Sequence, residues 1–261
     1  MPSSSVGKYS PRTIASFCLD HPEYLANLLR HTLPSGSYRA TFYSLLLRQK
    51  RFADSGTSPW GSYYEFGVGG GGTLVAFMKA FRDFERTQGQ VDEPFHIFAF
   101  DGFQGLPEPT SSRDIHPGWK RGGFAHTLDE VQRRIASERA NGERLAVRFV
   151  AGFFEQSLTA ELRSELLRHP PSIVMIDVDY YSSTRTVLEW LRPMLRNGAV
   201  FYFDDVWGYR GDPEKGELAA IHEFNQGGKG RLVNYPVEPG MRLVSPRYVF
   251  VDDGTDPSRP A

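Results

Sequence analysis

The sequence predicts a doubly wound α/β fold, a Rossmann-like and mostly parallel sheet with helices on both faces. Three observations carry that expectation. Two apolar runs, 173–176 and 199–203, each end abruptly in aspartates. Runs of this length and composition read as parallel strands buried on both faces. From Ser62 onward such runs alternate with segments of helical periodicity, the pattern that winds helices over a parallel sheet. A glycine-rich turn, 67–72, joins the first strand to a helix, and open sheets of this kind bind ligands at such connections.

The elements follow in order. Residues 1–11 are rich in Ser and Pro and are expected as a loose tail. Residues 22–30 and 38–49 are expected as helices, the second with Phe42, Leu45 and Leu46 on one face. A loop over 51–61 is marked by Gly56, Pro59 and Gly61. The first strand is 62–66, and the helix after the glycine turn is 73–86, with Leu74, Phe77, Met78 and Phe81 at helical spacing. A strand over 95–100 is closed by Asp101, and a long polar loop spans 110–124. Thr127 and Glu130 have capping-box spacing and open a helix over 127–139. A strand at 147–150, a helix at 159–168 and the strand at 173–176 come next. The helix expected over 183–195 should be kinked or shortened by Pro193. The strand 199–203, a helix at 217–225 and a closing strand pair, 232–237 and 243–251, bring the count to seven strands. The expected division is an N-terminal tail and helical cap, 1–61, and a ligand-binding domain, 62–261.

Bulk composition narrows the function classes. A net charge of −1 gives no electrostatic reason to expect nucleic acid or an anionic membrane as partner. No apolar run approaches the ~20 residues that span a bilayer. Cys18 is the single cysteine, so an internal disulfide is excluded, and a reducing cytoplasm is the expected location. Residues 1–12 lack the apolar core of a signal peptide.

Chemistry concentrates at the strand ends. Gly67 and Gly69 let the chain turn sharply and let a ligand lie against the backbone. A nucleoside triphosphate site would want a lysine in that turn, and none is there; a dinucleotide remains open. Asp101 ends the second strand, where a carboxylate can accept from ribose hydroxyls. Glu65, at the mouth of the first strand, suits either an amino group or an anchor for the turn. Asp177, Asp179, Asp204 and Asp205 should converge at one sheet edge, where their repulsion calls for a cation. Hard oxygen ligands suit Mg²⁺, then Mn²⁺, and no His/Cys spacing suggests zinc. The competing reading has these acids capping helices or pairing with Arg185, Arg192 or Arg210. The loop 110–124 is long enough for a lid. In it, His116 is either a second base candidate or a solvated histidine, and Trp119 would cover the cofactor or an acceptor ring. Trp207 and Tyr209 either line an acceptor pocket or pack their loop. His21, His31, His96, His126, His169 and His222 read as surface or helix residues.

Four stretches, in order, resemble the macrocin O-methyltransferase family: Tyr64-Glu65-Phe66-Gly67-Val68-Gly69, the run from Phe100-Asp101-Gly102-Phe103 to Pro109, Asp177-Val178-Asp179-Tyr180 through Thr184, and Gly198 through Asp204-Asp205. The likeness spans Tyr63 to about Phe224. It implies a class I methyltransferase fold, S-adenosylmethionine as methyl donor, bound magnesium and a sugar hydroxyl as acceptor. It implies Glu65, Gly67, Gly69 and Thr73 on the donor-binding turn and Asp101 as the ribose acid, with Gly102 and Phe103 beside it. By the same likeness Phe153 and Phe154 lie near the adenine and Asp177 touches both donor and metal. The implied metal ligands are Asp177, Asp204 and Asp205, and the implied general base is Asp179. Two positions depart from the family's pattern: Val178 stands where a glycine is usual, and Tyr181-Ser182-Ser183 replaces a run that usually carries another acid.

The expected function is therefore a Mg²⁺-dependent O-methyltransferase acting on a small hydroxylated molecule, a sugar unit of a glycosylated natural product or saccharide. Its rivals are a metal-independent small-molecule methyltransferase, a nicotinamide-dependent oxidoreductase and a non-catalytic cofactor-binding protein. The N-terminal helices suit either a cap over the acceptor cleft or a subunit contact in a homo-oligomer.

Overall fold

Neighbouring residues on each strand feed opposite faces of the sheet, and both faces are covered. The computed structural model describes residues 36–56, 60–91, 93–234 and 247–252. Its elements are helix α1 (Gly36–Asp54), strand β1 (Ser62–Phe66), α2 (Gly72–Gln88), β2 (Phe95–Asp101), α3 (Leu128–Glu138), β3 (Leu145–Ala151), α4 (Phe154–Ser157), α5 (Ala160–Leu166), β4 (Pro171–Ile176), α6 (Tyr181–Leu191), β5 (Val200–Phe203), α7 (Gly216–Gln226), β6 (Arg231–Asn234) and β7 (Arg247–Val251). The sheet order is β3-β2-β1-β4-β5-β7-β6. Strands β1 to β5 run parallel, and β7 pairs antiparallel with both β5 and β6. The sheet is thus mostly parallel, as expected.

Burial divides the core by strand parity. Tyr63, Ile97, Ala99, Ile173, Met175 and Tyr202 pack on one face with Phe42, Leu45 and Leu46 of α1 and Leu74, Phe77, Met78 and Phe81 of α2. Tyr64, Phe66, Phe98, Phe100, Val174, Ile176, Phe201 and Phe203 pack on the other with Val187, Leu188 and Leu191 of α6 and Ile221 and Phe224 of α7. Aromatic rings dominate: Tyr63 and Phe77 stack with centroids 3.9 Å apart, and Phe66 stacks on Phe100 at 4.5 Å. Truncating one such ring to Ala costs about 3–5 kcal/mol.

Local signals account for most boundaries. Thr127 and Glu130 form the expected reciprocal capping box of α3. Pro193 ends α6 early, and residues 192–194 form a 3-10 turn. Two expectations need correction. Helix α1 runs on to Asp54, through residues expected as loop; the Lys50–Asp54 ion pair at 2.8 Å carries it on, and Gly56, at φ +70°, follows its end. The short helix α4 was not expected, because its four residues are too few to show a period. The helix expected at 22–30, the tail at 1–11 and residues 235–246 of the closing strand pair lie outside the described residues. No described helix is long and apolar enough to cross a membrane.

Candidate active site at the strand ends

Strand register lines up the candidate residues. Phe66 is level with Phe100 on one side and Ile176 on the other, and Ile176 is level with Phe203. The next residues, Gly67, Asp101, Asp177 and Asp204, therefore emerge in one row. Backbone bonds continue the ladder past the strands: Gly67 N–H donates to Phe100 O, Asp177 N–H to Phe66 O and Asp204 N–H to Ile176 O, all at 2.9–3.0 Å. A cavity of about 410 Å³ opens over this row. It is lined by Gly67, Gly69, Gly70, Asp101, Gly102, Phe153 and Phe154 on one side and by Asp177, Asp179, Asp204 and Asp205 on the other.

The glycine turn is shaped by close approach. Gly67 has φ +82°, and a Cβ there would lie 1.7 Å from the carbonyl oxygen of Asp177. Asp101 ties the turn to β2: its Oδ2 accepts from Val68 and Gly69 N–H at 2.7 and 2.9 Å, and its Oδ1 from Phe103 N–H at 2.6 Å. Of about four acceptor positions on a carboxylate, three are thus used by backbone. Glu65 is fully buried, accepts from the Tyr63 hydroxyl at 2.6 Å and does not line the cavity. Burial pushes its carboxyl up to about 8. The Tyr63 hydroxyl, two residues earlier on β1, thus holds it within the strand.

The acids meet as the sequence suggests, with a different grouping. Asp177, Asp179 and Asp205 each bring a carboxylate oxygen within 4.8 Å of the others. Asp204 faces the same cavity, but its Oδ1 accepts from the Tyr38 hydroxyl of α1 at 2.7 Å. Burial first and the neighbouring aspartates second raise Asp177 to about 9, Asp179 to about 7 and Asp205 to about 6. Asp179 sits in the left-handed region at φ +62°, unusual for a residue with a Cβ and concentrated at functional sites. Three converging carboxylates that resist ionisation fit a hard divalent cation, whose charge would reverse that resistance. The glycine cradle beside two phenylalanine rings fits a ligand with a flat apolar part and a polar chain.

Several expected site residues lie elsewhere. His116 does not line the cavity. Its Nδ1 accepts from Gly118 N–H and its Nε2 contacts Gly208 O, both at 3.1 Å, so Nε2 carries the proton. Both ring nitrogens thus meet backbone groups of the surrounding loops. Its ring packs on Trp119 at 4.0 Å, and Trp119 does line the cavity. Thr73 and Phe103 are not cavity-lining either; Phe103 packs toward Phe149 on β3. Trp207 is exposed, whereas Tyr209 is buried and its hydroxyl donates to Asp114 O at 2.7 Å; neither lines the cavity. His126, expected as a bland surface or helix residue, lines the cavity beside Gly70.

Sequence reasoning also passed over three residues. Tyr38 lies 166 positions from its partner Asp204, beyond any local signal. Glu217, fully buried in the first turn of α7, accepts from Asp205 N–H at 2.8 Å; an acid within the apolar run that follows the aspartate pair was its signal. Asp114 is fully buried and accepts from Thr110, Ser111 and Ser182 N–H. It pins loop 110–124 to the start of α6, and the capping-box spacing of Ser111 and Asp114 was legible.

A seven-stranded, mostly parallel sheet with a glycine cradle and acidic strand ends defines a class I methyltransferase fold. The solved calicheamicin methyltransferase CalS11 has it, with a TM-score of 0.59 at 20% identity over 97% of this chain and 100% of that one. So does the O-methyltransferase NovP, with a TM-score of 0.53 at 19% identity over 81% and 79%. This chain belongs to the Macrocin-O-methyltransferase (TylF) family, whose model matches residues 58–226. A curated relative from Streptomyces olivaceus, 8-demethyl-8-(2,3-dimethoxy-alpha-L-rhamnosyl)-tetracenomycin-C 4'-O-methyltransferase, is 30% identical over 155 residues. That match covers 56% of this chain and about half, 52%, of the relative.

Proposed function

We propose that this protein moves a methyl group from S-adenosylmethionine to a hydroxyl of a small molecule, a sugar unit of a glycosylated natural product, with Mg²⁺ or Mn²⁺ at the acidic site. The observation that carries this is the row Gly67, Asp101, Asp177 and Asp204, level across four strand ends and open to one cavity. Family membership supports O-methyl transfer, and the rhamnosyl relative supports a sugar acceptor. In this reading residues 62–261 bind donor and acceptor, the N-terminal segment 1–61 serves either as a cap over the acceptor or as a subunit contact, and the protein works in the cytoplasm.

The donor would bring an already activated methyl group, and a divalent cation would supply Lewis acidity toward the acceptor hydroxyl. The chain's own groups do the rest. Gly67 and Gly69 receive the donor's polar chain, and Phe153 and Phe154 flank its base. Asp101 has one acceptor position left for a ribose hydroxyl. Asp177 and Asp205 would hold the cation. Asp179, which lines the same cavity, would take the acceptor's proton. The rings of Trp119 and the loop behind it keep water from the oxygen–methyl–sulfur line, whose alignment supplies much of the acceleration.

A second reading is favoured by the 4.8 Å convergence: Asp179 is itself a cation ligand. Asp179→Asn separates the two, since Asn tolerates the left-handed backbone. As base, its loss abolishes turnover with Mn²⁺ affinity kept; as ligand, Mn²⁺ affinity falls as far as in Asp177→Asn. The parent proposal is tested by calorimetry of S-adenosylhomocysteine binding, then methyl transfer to a panel of glycosides with EDTA and with Mg²⁺ restored. Failure to bind S-adenosylhomocysteine, together with binding of a nicotinamide dinucleotide, would return the oxidoreductase rival. Full activity in EDTA would return the metal-independent one.

A further inference from the structure

Helix α1 is fastened at both ends to the strand that carries the acidic pair. Near its C-terminal end, Gln49 Nε2 donates to Gly198 O, just before β5, at 3.1 Å and also to Ser172 O on the neighbouring β4 at 3.2 Å. Near its start, the Tyr38 hydroxyl reaches Asp204 just after β5. Eleven helical residues cover about 16 Å and six strand residues about 20 Å, so the helix spans the strand from end to end. The next residue, Arg39, fixes the same turn to α2 through two bonds to Asp83, at 2.6 and 2.8 Å. The Tyr38 ring is held against Phe42 and against Tyr202, two residues before Asp204.

We propose that Tyr38 is a positioning residue for the cation site, holding the Asp204 carboxylate by one oxygen from the N-terminal helix. The inference rests on the reading of the acidic row as a cation site. The tyrosine can only donate here, because burial and the Asp204 charge hold its hydroxyl protonated. A donated bond to Oδ1 fixes the carboxylate's rotation about its stem and spreads its charge away from Asp205, which lies beside it in sequence. Asp177, Asp179, Asp204 and Asp205 all line this cavity, and each rotation that turns two of them together works against a cation seat. Hydrogen bonds that orient acids around a metal are worth ~10–100-fold in affinity or activity when lost. Without Tyr38, the Asp204 carboxylate would lose the hydrogen bond that restrains its Oδ1.

The test uses the full chain and Mn²⁺, with free ion read by electron paramagnetic resonance. Tyr38→Phe keeps the ring on Tyr202 and removes only the hydroxyl. It should weaken Mn²⁺ binding by ~10-fold and broaden the bound-ion spectrum, with thermal midpoint and cation-free S-adenosylhomocysteine affinity unchanged. Asp204→Asn closes a double-mutant cycle: in that background Tyr38→Phe should add little further loss. Equal Mn²⁺ affinity in Tyr38→Phe and the parent would overturn the inference while leaving the cation site standing. So would an undiminished effect of Tyr38→Phe in the Asp204→Asn background. A parent protein that takes up no Mn²⁺ at all would instead remove the cation-site reading, and this inference with it.

Discussion

At Gly67 the site depends on an atom that is missing. Its φ of +82° already disfavours a side chain, and the Asp177 carbonyl, 1.7 Å from where a Cβ would be, is backbone and cannot swing away. The neighbouring Gly69 has φ +49° but open space around the same position. Gly67→Ala should therefore displace β4 from β1 and cost well beyond the ~1–3 kcal/mol of a left-handed residue alone, with S-adenosylhomocysteine binding lost. Gly69→Ala should cost only that backbone strain. Chemical denaturation of both variants reads the difference; equal losses would mean that the Asp177 contact is not what demands glycine. The need for a glycine at residue 67 was legible in the sequence, from a strand ending in Gly-x-Gly. Its reason was not, because the carbonyl it avoids lies 110 residues away.

Loops and helices set the walls of the site. The loop expected as a lid, 110–124, is held at its first turn by Asp114, which is fully buried and satisfied by three backbone N–H groups and by none of the arginines nearby. Farther on, Leu106 exchanges backbone bonds with Gly122 and Gly123 at 2.9 Å, closing the loop's base. The segment between, from His116 to Arg121, carries Trp119 to the cavity. Removing one partner from buried N–H donors costs about 1–3 kcal/mol for each group left unmatched. Asp114→Ala should therefore lower stability by several kcal/mol and free the loop, so that trypsin cuts faster after Lys120 and Arg121. Cleavage no faster than in the parent would show that the Leu106 closure alone holds the loop. At this scale the sequence was a good guide to strands and to α2, α3, α6 and α7. It failed at the end of α1, where an i,i+4 ion pair carries the helix through residues that read as loop, and where a loop's role is fixed by one buried carboxylate.

The whole molecule carries a linkage between acidity and stability. Glu65, Asp177, Asp179 and Asp205 are raised to about 8, 9, 7 and 6, by burial first and, for the aspartates, by one another. Each binds its proton more tightly folded than unfolded. The folded state thus holds more protons between about pH 4 and 9, and stability falls as pH rises through that window. A divalent cation bound among the aspartates favours their charged forms and the folded state. Thermal midpoints should therefore drop from pH 6 to pH 8.5 without metal. Mg²⁺ should raise the midpoint more at pH 8.5 than at pH 6. A Mg²⁺ effect independent of pH, or absent, would contradict a shared acidic site.

By itself the sequence determined the wound sheet, the order of its elements and the strand ends where chemistry is gathered. Those follow from periodicity and from acids placed at the close of apolar runs, which are short-range properties of the chain. Which aspartates face one another, that Glu65 is buried against Tyr63, that His116 spends both nitrogens on backbone, and that Tyr38 reaches Asp204 were decided only in three dimensions. Each depends on strand register or on a helix crossing the sheet, and distances of that kind are fixed by packing between segments that share no local pattern.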